Sequence, residues 1–176
     1  ICPASPMEVK KATIAAYEHS GPVYLRLGTN KEPEIYDHDY DFIIGKAVAV
    51  KSGKDIALIG TGSILKDILD VSKKLEEKGI NARVLNIHTI KPIDKEAVIN
   101  AVDETGKIMT VEDHNVIGGL GSAVAEVIAE YGKSVEFRRI GLRNFSCGYG
   151  SYEQVKKRNS IGAEEIYRTI LDMFKI

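Results

Sequence analysis

From Lys46 to the C-terminus, short runs of aliphatic and β-branched residues alternate with amphipathic stretches, and glycines punctuate the joins. "DIALIGTG" (55–62) reads as a buried strand ending in a glycine turn. "SILKDILDVSKKLEEKG" (63–79) places Ile64, Ile68, Val71 and Leu75 at helical spacing, with Ser63 as its cap and Gly79 closing it. The unit then recurs. "INARVLNIH" is a strand, and "IDKEAVINAVDETG" is a helix that starts from an Asp94 N-cap. "KIMTVE" is a strand, "GSAVAEVIAEYG" a helix and "VEFRRIG" a last strand, followed by helical segments near Glu153–Arg158 and Ala163–Phe174. "KAVAV" (46–50) adds one short strand at the front. Helices between strands bury both faces of a sheet, so the pattern predicts an α/β fold, a three-layer α/β/α domain with a mostly parallel sheet.

The first 45 residues do not follow this rhythm. Ser5-Pro6-Met7-Glu8 has the makings of a capping box, with Ser at the N-cap, Pro at N1 and Glu at N3. The helix it opens runs to about His19, with Val9, Ala12, Ile14 and Ala16 on its apolar side. Gly21-Pro22 breaks it, and Val23–Leu27 ("VYLRL") alternates as a strand does. One helix and one strand cannot build a core, so this opening reads as the tail of a larger domain. A strand deprived of its sheet exposes unpaired backbone groups, so it is expected to be disordered, folded back or paired with another copy. Ile1 is not an initiator Met, which suggests a piece produced by engineering or proteolysis; removal of a leader is the plainer alternative. From Gly28 to Gly45 the chain includes "EPEIYDHDYD", rich in acids and without helical periodicity. It reads as a linker or as a solvated surface loop.

Composition narrows the function classes. Lys plus Arg number 24 against 25 Asp plus Glu, so no basic field points to nucleic acid or to an anionic membrane. Two cysteines, Cys2 and Cys147, build no disulfide framework and match no metal-ligand spacing, so a reducing cytoplasm is the expected setting. No apolar run approaches the roughly 20 residues of a membrane span, and no signal peptide opens the sequence.

Three places could carry chemistry. Gly60-x-Gly62 after the second strand invites a dinucleotide reading. Leu65 stands where a third glycine is needed, and no ribose-binding acid follows at the proper distance. A tight turn into a helix is the alternative. "GGLGS" (118–122), with Gly118, Gly119 and Gly121, precedes a helix N-terminus that could hold an anion, although the P-loop lysine is missing. Its glycines could equally permit close backbone approach. Glu112, Asp113 and His114 fall where the strand ends, the edge at which α/β proteins place ligands. A carboxylate beside a histidine could tune a general base; without a nucleophile elbow the three residues could also serve an interface. His88 has the same two readings, buried and bonded or interfacial, whereas His19 and His38 carry no motif.

Taken together, "PASPMEVKKATIAAYEHSGPVYLRLG", "DIALIGTGSILKDILDVSKKLEEKGINARVLNIHTIKPID", "TVEDHNVIGGLGSAVAEVIAE" and the closing "IGLRNF" resemble the C-terminal half of transketolase, best the short archaeal or bacterial type with a separate C-terminal subunit. 1-Deoxy-D-xylulose-5-phosphate synthase and the 2-oxo-acid dehydrogenase β subunit are similar to a lesser degree. The resemblance implies that residues 1–28 are the tail of a pyrimidine-binding domain, 29–45 an acidic linker and 46–176 the transketolase C-terminal domain. The intact enzyme would transfer two-carbon ketol groups between sugar phosphates with thiamine diphosphate and magnesium. Neither the Gly-Asp-Gly magnesium motif nor the cofactor-activating glutamate is among these residues. A non-catalytic part is therefore expected, inactive and cofactor-free alone, that serves assembly with the rest of the transketolase and homodimer formation. The resemblance makes His88, Glu112, Asp113, His114, Gly118, Gly119 and Gly121 an interface signature and Arg26 a substrate contact. Thr29 stands where the family pattern has a second, phosphate-gripping Arg, which leaves phosphate anchoring in doubt. The rivals are the equivalent domain of the two related enzymes, or an independent regulatory module binding an anion at Gly118–Gly121.

Overall fold

The computed structural model describes residues 1–28, 32–145 and 148–176. The alternation folds into one five-stranded sheet. Its strands are β1 (Val48–Lys51), β2 (Ile56–Gly60), β3 (Ala82–Asn86), β4 (Lys107–Asn115) and β5 (Glu136–Leu142), in the order β1-β3-β2-β4-β5. β2 to β5 are parallel, and β1 pairs antiparallel along the outer edge of β3.

Side chains alternate across β2 and so divide the core into two layers. Ile56 and Leu58 pack with Ile68, Val71 and Leu75 of α2 (Leu65–Glu76) and with Ile166, Ile170 and Met173 of α6 (Ala163–Phe174). Ala57 and Ile59 face the other way. They meet Val98 and Ala101 of α3 (Lys95–Thr105) and Leu120 and Val124 of α4 (Leu120–Tyr131). Each Ile or Leu taken fully from water here contributes about 1.5–3 kcal/mol. Short α5 (Tyr152–Arg158) starts from a Ser151–Gln154 capping box. It is pinned to α2 by Lys156, whose Nζ lies 2.6 Å from Asp67 Oδ2 and 2.8 Å from Glu153 Oε1.

Several local expectations are corrected. Ser63 does not cap α2; it sits in a 3-10 turn (Gly62–Ile64), and its hydroxyl donates to Glu32 at 2.9 Å. Gly79 closes α2 as expected: at φ +76° its amide donates to the Glu76 carbonyl at 2.9 Å and the Ile80 amide to the Leu75 carbonyl at 3.0 Å, although the last regular turn ends at Glu77. At the front of α1 (Pro6–Glu18), Ser5 caps as expected, but Glu8 accepts from the Ala4 amide instead of closing the box on Ser5. Val23–Leu27 forms no strand of the sheet. It folds back against residue 1, where the Arg26 amide donates to the Ile1 carbonyl at 2.9 Å.

Residues 32–45 contain neither helix nor strand, yet they do not hang free. The hydroxyls of Tyr36 and Tyr40 donate to Glu8 Oε1 at 3.0 and 2.5 Å, and Asn86 Nδ2 donates to the same oxygen at 2.7 Å. Phe42 stacks on His88 with ring centroids 4.1 Å apart. The buried Glu8 carboxylate thus ties α1, this segment and the end of β3 together, its charge met on all sides by donors.

The strand order makes a crevice. β2 runs through α2 to β3 on one side, whereas β4 lies on the other side and leads through α4 to β5. α2 and α4 belong to opposite core layers, so the connections leaving β2 and β4 diverge. At such a switch point an open α/β sheet places its ligand.

Candidate functional site

The residues singled out in the sequence gather at that crevice. A cavity of about 340 Å³ opens there, lined by Thr61 from the β2 turn, Glu112, His114, Gly118 and Gly119 from the β4–α4 passage, and Arg26. Ile1, Cys2, His19 and Tyr24 of the N-terminal segment form much of its remaining wall. The segment preceding the α/β domain is seated in the place a ligand would take.

Both glycine motifs are filled from within. Gly62 has φ +67°, and a Cβ on it would come within 2.6 Å of Cys2 Sγ. The tight turn therefore receives the cysteine where a dinucleotide-binding turn would receive a pyrophosphate. Cys2 is held further by its amide, which donates to the His88 carbonyl at 2.7 Å. At the start of α4 the side chain of Glu112 accepts from the amides of Leu120 and Gly121, both at 2.8 Å. An internal carboxylate thus takes the anion position at the helix N-terminus. Gly119 is glycine because a Cβ would overlap the Glu112 carboxylate, and Gly121 because a Cβ would meet Arg139 and Thr110 within 3 Å. Gly118, at φ +75° in open space, supplies the turn itself. Burial raises the Glu112 carboxyl above its ordinary range, against the pull of the two amides.

Glu112, Asp113 and His114 lie inside β4, beyond its last pairing with β2 at Val111, and not after the strand. Their side chains part company. Glu112 turns in to the helix start. Asp113 bridges outward, with Oδ1 2.9 Å from Arg26 Nη1 and Oδ2 accepting from the Tyr152 hydroxyl at 3.1 Å. Burial works against the Arg26 charge, but the bonds to Asp113 outweigh it and hold the guanidinium above its usual pKa. His114 is exposed and lines the cavity. No carboxylate–histidine pair of general-base geometry forms among these three.

His88 is fully buried. Its Nδ1 lies 2.9 Å from the Thr89 hydroxyl, and its Nε2 has no partner among the described residues. Burial pushes its pKa down, with Glu8 opposing, so the ring is neutral. Thr29 and Cys147 lie outside the described residues. Sequence reasoning missed Tyr36, Tyr40 and Tyr152 and gave Glu8 only a capping role; the density of tyrosine and acid in 34–41 hinted at Tyr36 and Tyr40 alone. Among the described residues no group of three or more His, Cys, Asp or Glu side chains could hold a metal ion. No helix among them is long and apolar enough to cross a membrane.

Comparison with known proteins gives the family. Residues 45–166 match the family model of the transketolase C-terminal domain. The chain is 38% identical over 174 residues to an apulose-4-phosphate transketolase subunit of Actinobacillus succinogenes, covering 97% of this chain and 55% of that protein. It is 29% identical over 175 residues to a 1-deoxy-D-xylulose-5-phosphate synthase of Heliobacterium modesticaldum, covering 98% of this chain and 27% of that protein. A solved structure described as a split gene transketolase, inactive beta4 tetramer, superposes with a TM-score of 0.91 at 33% identity, covering 97% of this chain and 56% of that one. The chain thus spans about half the length of the transketolase subunits it matches. On sequence and on fold alike, it belongs to the transketolase C-terminal domain family.

Proposed function

We propose that this chain is the C-terminal part of a split-type transketolase, a non-catalytic portion on which the pyrimidine-binding region is seated. In this reading the complete enzyme moves two-carbon ketol units between sugar phosphates in the cytoplasm, using thiamine diphosphate and magnesium held by other portions. Residues 1–28 are the tail of the pyrimidine-binding domain, 29–45 the connector and 46–176 the third domain. The likeness to separately encoded transketolase subunits favours a partner that carries the remaining domain, and copies of the chain pair as a homodimer.

The observation that carries the proposal is the switch-point crevice, walled by the chain's own Cys2 and Arg26 where an α/β enzyme would hold its ligand. That crevice works as a docking face. Asp113 and Tyr152 fix Arg26, so the third domain orients the one guanidinium that the resemblance assigns to substrate. The higher identity to the transketolase subunit than to the deoxyxylulose-phosphate synthase favours ketol transfer.

Calorimetry with thiamine diphosphate and magnesium on this chain alone is expected to show no binding. Ketol transfer is expected only when the chain, extended by the rest of its pyrimidine-binding domain, is mixed with the diphosphate-binding subunit of a split transketolase. Micromolar cofactor binding by the isolated chain would overturn the reading.

A further inference from the structure

We infer that β5 and the turns beside it form a second site, separate from the crevice, for a small molecule carrying a phosphate group. A cavity of about 360 Å³ lies along this outer edge of the sheet, lined by Arg138, Arg139, Arg143, Asn144, Ser160 and Thr169 among others. The chain as a whole has a net charge of −1, so the arginines that border this hollow are not a by-product of a basic protein.

Their carboxylate neighbours neutralise them only in part. Glu165 borders the cavity but is paired with Arg168, and Glu136 is paired with Lys107 and stands 4.0 Å from Arg138. Arg143 is exposed and has no ion-pair partner among the described residues. Arg138 and Arg143 carry the open charge; Arg139 leaves β5 on the α4 side, where Nη1 donates to the Val116 carbonyl at 3.1 Å and to Ser122 Oγ at 3.3 Å. Its stem is packed over Gly121, whose missing Cβ makes the room. Like charges gathered around one concavity repel, and an anion removes that cost. Planar guanidiniums match the oxygens of a phosphate two at a time, and the hydroxyls of Ser160 and Thr169 add neutral donors. Ser160 holds a left-handed backbone, φ +54°, at the wall of this cavity. The volume suits a small phosphate ester.

The sequence pointed to Gly118–Gly121 as the anion position. Glu112 occupies it, and the arginine edge is the place where positive charge is left open. The inference does not depend on the assignment of the chain to a transketolase assembly.

Titration of the full chain with inorganic phosphate and pyrophosphate at constant ionic strength tests it. Pyrophosphate is expected to bind more tightly than phosphate. Arg143→Ala and Arg138→Ala should each weaken binding by about tenfold, the effect of losing one charge-assisted hydrogen bond. Lys54→Ala, which removes the same charge at an exposed turn elsewhere, should leave it unchanged. Unchanged melting temperatures would show that both arginine variants are folded. Absence of pyrophosphate binding, binding indifferent to Arg143 and Arg138, or binding only of an acidic peptide would overturn the inference.

Discussion

Glu112 shows how one side chain decides the character of a motif. A glycine cluster before a helix resembles an anion cradle only while its amides are free, and here a carboxylate from the preceding strand takes two of them. Glu112→Ala would leave two buried donors without partners, so chemical denaturation should show a loss of about 2–4 kcal/mol. His88 offers a second test. Its folded pKa lies below the ordinary value of 6.5, so between the two values the unfolded chain binds more protons. His88 thus contributes stability that is complete above about pH 6.5 and is lost as pH falls toward the folded pKa. Denaturation midpoints of the native chain should decline below that pH, and His88→Phe should flatten the decline. An equal slope in the variant would remove His88 from the explanation.

The joints between elements depend on buried polar pairs as much as on apolar packing. Lys156 is almost fully buried, its ammonium clasped by Asp67 of α2 and Glu153 of α5 and lying 4.7 Å from the centre of the Tyr152 ring. Burial alone would lower its pKa, but the hydrogen bonds to the two carboxylates raise it, so it stays charged. Lys156→Met strands a half-buried Asp67 and should cost about 3–5 kcal/mol; Lys156→Met with Asp67→Leu should recover much of that, because the orphaned charge is gone. Thermal melts of the two variants decide it. The Glu8 cluster does similar work for α1. Tyr40→Phe removes one of its donors and should lower stability by about 1–2 kcal/mol, with faster proteolysis within 32–45 and unchanged cleavage elsewhere.

At the scale of the whole molecule, a five-stranded domain carries the preceding segment in the crevice at its own switch point. The Arg26–Asp113 pair bridges 87 positions of sequence, and Tyr152 on α5 steadies the acid. Arg26→Met should speed hydrogen exchange through residues 1–28 while leaving β2 and β4 protected to the global limit. Uniform acceleration would show instead that the segment and the sheet unfold as one unit. Much of this was legible from residues alone. Hydrophobic period separates strand from helix locally, so the βα order, the two core layers and the Asp94 cap followed without coordinates. The Ser63 cap and the Val23–Leu27 strand did not hold. Capping depends on where the first turn tightens, and a strand needs a neighbour that only the fold supplies. The site was legible as a set of residues but not as a role. Spacing could bring Glu112, Asp113 and His114 to the sheet edge, yet adjacent side chains on a strand point to opposite faces, and sequence does not say what awaits each one. Period and punctuation fixed the architecture because they act between near neighbours; which amides, charges and hollows remain open was settled by contacts between residues far apart in the chain.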